Sequence, residues 1–297
     1  MKLKKLFRIC LNGLFCLSFL ALPSCSKEDQ VIIPGNQAPP DYTLPAGLRS
    51  NFVQKAYIGI LGRKPLDSEW EEASDIFEDQ GFTPESRREV LNRILQDPTF
   101  YDREFELWRA ELLNNTDTAQ IKTSMGALQS LINNPAYASM REQLIVELNR
   151  LNKLLTCPAD LKSGSITISG MQKRCIDNLF YDEINMGSLN FVISTIQHFM
   201  LRSPTAYEQQ EGVKMVDGFS SVLFLQVGDS KEDYMKIFFE SSDYAEGQVL
   251  LMFNRFLFRS PSSEEMVYHS GRFKESGDYK MLMGDILQSN EFAGIRP

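Results

Sequence analysis

Three stretches of the sequence read LGRKPLDSE (residues 61–69), LRSPTAYE (residues 201–208) and FRSPSSEE (residues 258–265). Each contains an arginine, a proline two residues later and a glutamate four residues after the proline. This shared spacing predicts three copies of one structural corner, which we call the repeat corner. The residues that define the corners are Arg63, Pro65, Glu69, Arg202, Pro204, Glu208, Arg259, Pro261 and Glu265.

The residues before each corner predict a helix that ends there. Apolar side chains precede each arginine at the spacing of one helix face. A cation near the last turn complements the exposed carbonyl groups, and proline cannot continue the helix. The three apolar sets are Val53, Tyr57, Ile60 and Leu61; Val192, Ile196, Phe199 and Met200; and Val249, Phe253, Phe256 and Leu257.

A second helix is predicted to begin after each proline. In the second and third copies a hydroxyl residue, Thr205 or Ser262, stands three residues before the glutamate, which is the spacing of a capping box. Such a cap contributes about 1 kcal/mol. The first copy has Leu66 at this position, so we expect Asp67 to cap that helix instead. The repeated charges could also form a ligand-binding row, but local ion pairing and capping account for their positions.

A second phrase closes each unit with an aromatic residue. It reads ILQDPTF (residues 94–100), FFESSDY (residues 238–244) and ILQSNEF (residues 286–292). Self-similarity in a fixed order indicates one supersecondary unit whose copies cover each other's apolar faces. We therefore predict an all-α, multi-helix bundle or array built from three related units with an inserted helical segment.

The two phrases together resemble a known kind of domain. The L-G-R-x-P opening with the I-L-x-S/D-x-x-F closing resembles the short all-helical repeat domains of unknown function in bacterial surface and secreted proteins. It is similar also to the phycobilisome linker domain and to the domain of unknown function that accompanies planctomycete cytochromes. The resemblance covers residues 52–108 and 190–294 and implies a helical fold without catalytic residues. The haem-attachment motif C-x-x-C-H of the cytochrome relatives is absent, so no cofactor is implied.

The first 24 residues have the features of a lipoprotein signal peptide. Four cations between residues 2 and 8 precede an apolar stretch, residues 11–22, that is short for a membrane span. Residues 22–25, at the end of this stretch and just after it, read LPSC, which resembles the lipobox of bacterial lipoproteins. The resemblance implies that Cys25 is lipidated and becomes the first residue of the mature chain.

The residues after Cys25 refine the expected location. Residues 26–29 (SKED) resemble the export signal of surface lipoproteins in Bacteroidota, which implies an outer-membrane protein anchored by lipid and facing the cell surface. Residues 25–48 are rich in proline and glycine and predict an extended tether. Loss of the four cations in residues 1–24 takes the net charge from −8 to −12, which disfavours nucleic acid as a partner. The expected partners are the membrane, through the anchor, and an envelope protein; a glycan is the alternative ligand.

The folded part is predicted to divide into three segments. Residues 49–113 form unit 1, residues 114–189 form the helical insertion, and residues 190–297 form units 2 and 3. The insertion contains Cys157 and Cys175, which we expect to form a disulfide because an envelope location permits one. Two free thiols acting as nucleophile or metal ligands are the alternative, but no histidine is near them in sequence.

No group of residues has the spacing of an active site or a metal site. The two histidines, His198 and His269, lack a partner at metal-ligand spacing. Trp70 and Trp108 lie in helical runs and are expected in the core rather than under a sugar ring. The sequence thus favours a non-enzymatic surface lipoprotein that acts as an interaction or scaffold module in secretion, adhesion or nutrient uptake. The alternative is a helical enzyme that acts on carbohydrate or peptidoglycan, or a glycan-binding protein.

Overall fold

The computed structural model describes residues 43–295. The predicted signal peptide, Cys25 and the tether residues 26–42 lie outside the described residues. Residues 43–48, which the sequence placed in the tether, belong to the first helix, which begins at Thr43. Pro45 is compatible with this start, because the N–H groups of the first turn have no partner within the helix.

Fifteen α-helices account for most of the described residues, so the all-α prediction is confirmed. None of these helices is long and apolar enough to cross a membrane. Unit 1 contains α1 (Thr43–Leu61), α2 (Asp67–Gln80), α3 (Pro84–Gln96) and α4 (Thr99–Leu112). The insertion contains α5 (Thr118–Asn133), a 3₁₀ helix (Pro135–Met140), α6 (Arg141–Leu155), α7 (Cys157–Lys162), α8 (Ile168–Ile176) and α9 (Leu179–Ile184). The remainder contains α10 (Ser188–Met200), α11 (Ala206–Val216), β1 (Ser221–Leu223), β2 (Gln226–Gly228), α12 (Lys231–Phe239), α13 (Ser242–Leu257), α14 (Ser263–Ser276) and α15 (Tyr279–Leu287).

Units 2 and 3 share a helix. Helix α13 begins at the closing phrase of unit 2 and ends at the corner of unit 3, so it closes one unit and opens the next. In unit 1 two separate helices do this: α1 opens the unit, and α4 closes it. This sharing explains why the second and third corners follow each other more closely in sequence than the first and second.

The apolar sets before the corners form the centre of the core. Eleven of their twelve residues are buried, and Leu257 is half-buried. The aromatic residues that close the units, Phe100, Tyr244 and Phe292, are buried in the same core. Each unit therefore places its opening helix and its closing aromatic against one continuous apolar interior, which supplies most of the folding free energy.

Helices α10 and α13 approach closely where they cross. Gly247 of α13 faces the end of α10, and a β-carbon at this position would collide with the backbone at Phe199 and Met200. Because backbone atoms cannot rotate away as a side chain can, the crossing requires glycine.

Unit 3 packs back onto unit 1. Arg87 of α3 is completely buried and donates hydrogen bonds to the Gln288 carbonyl (2.9 Å) and to the side-chain oxygen of Asn290 (2.7 Å). Lys55 of α1 donates to the Phe292 carbonyl at 2.8 Å and lies over the Phe292 ring. The turn that ends unit 3 is thus held between the first and third helices of unit 1.

A β-hairpin between α11 and α12 was not predicted from the sequence. Strands β1 and β2 pair in antiparallel fashion and are joined by Phe224 and Leu225, which have φ angles of 47° and 64°. Two-residue turns with positive φ at both positions match the twist of a hairpin, but they normally contain asparagine, aspartate or glycine. The turn lacks this signal. Units 1 and 3 have only two or three residues at the same point, residues 81–83 and 277–278.

The structure corrects the prediction of a disulfide. Cys157 and Cys175 are buried free thiols. Burial raises the pKa of the Cys157 thiol to about 11, so it is protonated at neutral pH and packs as a small apolar group. The segment between the two cysteines is held by an ion pair between Arg174 and Asp160, at 2.5 Å.

The crossing at Gly247 gives a direct test of the packing. Gly247→Ala is expected to lower the free energy of unfolding by about 3 kcal/mol or more, because the added methyl group meets backbone atoms. Gly271→Ala is the matched control, since this glycine is also inside a helix but has nothing near its β-carbon position; it should stabilise the protein by up to about 1 kcal/mol. Urea unfolding measures both. Equal effects of the two substitutions would contradict the close crossing.

Candidate functional site

In each repeat corner the arginine binds both oxygens of the glutamate. The six N–O distances lie between 2.5 and 2.8 Å. The same glutamate accepts a hydrogen bond at 2.7 Å from the backbone N–H of the residue before the second helix. The pairs are Arg63–Glu69, Arg202–Glu208 and Arg259–Glu265. The corner thus fixes the end of one helix and the start of the next.

Each corner arginine also binds a second carboxylate, which the sequence analysis missed. Asp97, Asp243 and Glu291 lie within 2.8 Å of their arginine. All three belong to the closing phrases. An acidic residue in every closing phrase was the available signal, but the acid of the first copy stands two positions earlier relative to the aromatic than in the others.

The first corner corrects the prediction for Asp67. Helix α2 begins at Asp67 itself, and Leu66 is the N-cap residue. The Glu69 carboxylate accepts from the Leu66 N–H at 2.7 Å, so the cap position needs no side-chain acceptor for this bond. In the second and third corners the predicted capping boxes are present, with Thr205 and Ser262 as the cap residues.

The electrostatics of the corners agree with a structural role. Burial alone would raise the pKa of the Glu208 carboxyl, but hydrogen bonds from Arg202 and Thr205 outweigh it and lower this pKa to about 2. The hydrogen bonds from Arg259 lower the pKa of Glu265 to about 2, against the opposing effect of burial. Both carboxylates are therefore charged and fully engaged at neutral pH.

A cleft of about 330 Å³ lies where the units meet. Its walls come from α4, the last helix of unit 1, from α10, the first helix of unit 2, and from α13, the helix shared by units 2 and 3. Four residues of α4 line it at the spacing of one helix face: Glu104, Leu107, Trp108 and Glu111. Ligand sites often form at such junctions, so this cleft is the candidate site.

The floor of the cleft contains an ion pair between a buried carboxylate and a half-buried guanidinium group. Glu104 is fully buried and accepts from Arg255 Nη1 at 2.9 Å and from the Tyr279 hydroxyl at 3.3 Å. Arg255 Nη2 donates to the Gly59 carbonyl at 2.8 Å. Burial, reinforced by the Glu104 charge, raises the pKa of Tyr279 well above its usual value, so its hydroxyl stays protonated. The two ionic groups of the floor cancel each other's charge.

The mouth of the cleft has polar groups on α10. His198 Nδ1 lies 3.2 Å from the hydroxyl of the buried Tyr181. Burial lowers the pKa of His198, and the Glu111 carboxylate only partly opposes this, so the imidazole is neutral at pH 7. Gln197 is exposed at the same edge. Hydrogen-bond donors and acceptors are therefore present at both ends of an otherwise apolar cleft.

The backbone at the mouth has an unusual conformation. Leu201, which follows α10 and lines the cleft, has a φ of 54°. The corresponding residue before the first corner arginine is Gly62, with a φ of 73°. The left-handed conformation suits glycine, and a larger residue in it costs of order 1 kcal/mol or more. Phe258, before the third corner arginine, has the same conformation with a φ of 56°, so a left-handed residue is a feature of all three corners.

Of the two tryptophans and His269, which the sequence also singled out, Trp108 alone lines the cleft. Trp108 is buried and stacks on Phe199 with ring centroids 5.2 Å apart, and Trp70 is half-buried against the core. His269 packs against Phe253 and does not line the cleft. Among residues 43–295 no cluster of three metal-ligating side chains is present.

Comparison with known proteins adds no assignment to this geometry. No protein-family model, no curated protein and no solved structure matches the chain. The resemblance drawn from the corner and closing phrases therefore stays a prediction.

The pKa of Glu208 predicts how its corner responds to acid. Its folded-state value of about 2 lies below the usual 4.5, so its contribution to stability is complete above about pH 4.5 and is lost as the pH falls through about 2. Glu208→Gln should lower the free energy of unfolding at pH 7 by on the order of 2 kcal/mol. It should also flatten the acid dependence between these two pH values.

Urea unfolding at a series of pH values measures both effects. Glu71→Gln in α2 is the matched control, because this glutamate is exposed and makes no ion pair with the described residues; its acid dependence should follow the wild type. An unchanged slope in Glu208→Gln would show that the corner does not hold this carboxylate as the geometry indicates.

Proposed function

We propose that the chain is a lipid-anchored protein of the bacterial outer membrane, facing the cell surface, that acts without catalysis as an interaction module in an envelope assembly. The β-hairpin is the observation that carries this proposal. The LPSC sequence ending at Cys25 supports the anchor, and the acidic residues after it support export to the surface. Secretion, adhesion and nutrient uptake are the processes in which such a module would serve.

The hairpin has the properties of a protein-binding element. Leu225, Val227 and Phe219 expose 98%, 72% and 65% of their surface. They belong to an uncharged stretch, residues 218–228, bounded by Asp217 and Asp229. Exposed apolar residues grouped in one element are typical of interaction sites, because only burial against a partner removes them from water.

The backbone of the hairpin supports the same role. Phe224 and Leu225 occupy the left-handed region without being glycine or asparagine, and each position costs of order 1 kcal/mol. The hairpin is also an addition to the repeat, since neither other unit has it. A strained and exposed addition contributes little to the stability of the core, and binding to a partner accounts for its retention.

The anchor is tested by replacing Cys25. Metabolic labelling with a fatty-acid analogue should mark the wild-type protein, and Cys25→Ala should remove the label because the lipid is attached to the thiol. Protease added to intact cells should degrade the wild-type protein if it faces outward. Labelled Cys25→Ala protein would disprove the assignment of the lipid to this residue.

The hairpin is tested with a photoreactive phenylalanine analogue at position 225. Irradiation of intact cells should join the chain to one envelope protein, since the replaced side chain is almost completely exposed. Leu225→Asp should prevent recovery of this partner and leave thermal unfolding unchanged. The matched control is the same analogue at Gln129, an exposed residue of α5. The same products from both positions, or none from position 225, would contradict the proposed role of the hairpin.

A further inference from the structure

We infer that the cleft between α4, α10 and α13 is a binding site for a neutral sugar of one or two rings. This inference goes beyond the proposed function, because it concerns other residues and requires neither the lipid anchor nor the hairpin. It is carried by three features of the cleft: its hydrogen-bonding groups, its balance of charge and its apolar walls.

The hydrogen-bonding groups are held in place before any ligand arrives. Arg255 donates one N–H to Glu104 and one to the Gly59 carbonyl. These two bonds fix its guanidinium group, and a guanidinium group has five N–H donors, so further donors remain for a ligand. The contact of 3.2 Å between His198 Nδ1 and the buried Tyr181 hydroxyl orients the imidazole ring, whose second nitrogen, Nε2, donates or accepts according to the tautomer. Gln197 adds an amide that both donates and accepts.

The balance of charge favours a neutral ligand. Arg255 is neutralised by Glu104, and His198 is uncharged at pH 7. The remaining charge is that of Glu111 at the mouth, which repels an anion. A cation would lie against the guanidinium group of the floor. A molecule with hydroxyl groups avoids both penalties, since hydroxyls donate to carboxylates and accept from N–H groups.

The walls and the volume fit a sugar ring. Leu107, Leu251 and Leu201 give the cleft an apolar lining between its two polar ends, and the C–H face of a sugar ring can pack against such a surface. A volume of about 330 Å³ is at the lower end of small-molecule pockets, which span roughly 300–1,000 Å³. This size limits the ligand to one or two rings. Trp108 does not act as a stacking platform, because its side chain is buried and one face of its ring stacks on Phe199.

Calorimetric titration of the full chain, purified in a polyoxyethylene detergent that carries no sugar, tests the inference. The probes are the methyl glycosides of glucose, galactose, mannose and N-acetylglucosamine, with glucuronate, galacturonate and cyclohexanecarboxylate as acids. At least one neutral glycoside should bind at concentrations up to about 10 mM, and the uronate of the same ring should bind more weakly. Gln197→Ala should weaken the neutral sugar about tenfold, the value of one lost hydrogen bond.

Two further variants make the outcome decisive. Gln210→Ala is the matched control, because Gln210 is an exposed glutamine of α11 that does not line the cleft; it should bind as the wild type does. Glu111→Gln should reduce the discrimination against the uronate, since it removes the charge that repels it. Preferential binding of an acid, binding unaffected by Gln197→Ala, or no binding by any glycoside would overturn the inference.

Discussion

The fold depends on an arginine that binds two carboxylates from different parts of its unit. In unit 1 Arg63 joins Glu69, at the start of the next helix, to Asp97 in the closing phrase, 34 residues after Arg63 itself. A guanidinium group presents its N–H donors in a fixed planar fork, so it constrains direction as well as distance. Each pair is partly exposed and contributes modestly by itself. The importance of the cluster lies in fixing three points of the chain with respect to one another.

This constraint determines which surfaces the helices bury. Once the corner and the closing turn are held together, the opening helix and the closing aromatic face the same interior. The third unit then turns back onto the first, where Arg87 satisfies the last turn with hydrogen bonds to Gln288 and Asn290. An open array of repeats needs special capping units at its ends. Here the end of unit 3 is covered by unit 1 instead.

The sequence predicted those features whose causes are local. Arginine, proline and glutamate at fixed spacing are sufficient to predict the corners, and hydroxyl residues three positions before a glutamate predict the capping boxes. The contact between Glu104 and Arg255 joins residues 151 positions apart and leaves no local pattern. The hairpin turn was missed because Phe224 and Leu225 are not turn residues. The disulfide was predicted from cellular location, which permits a bridge but does not require one; the interior accepts two thiols as small apolar groups.

The cleft and the hairpin are two places where the chain departs from the choices that stability alone favours. An ion pair with a buried partner, such as Glu104–Arg255, can often be replaced by apolar residues of similar size without loss of stability, and exposed apolar residues on a strained turn add nothing to the core. In the corners, by contrast, the local signals of arginine, proline and glutamate agree with the observed fold. Departures of this kind are expected at functional sites, because in natural proteins the local sequence preferences otherwise agree with the global fold. The polar floor keeps a guanidinium group fixed beside an accessible apolar wall, and the hairpin keeps an apolar surface in water. Both are arrangements that a second molecule would complete.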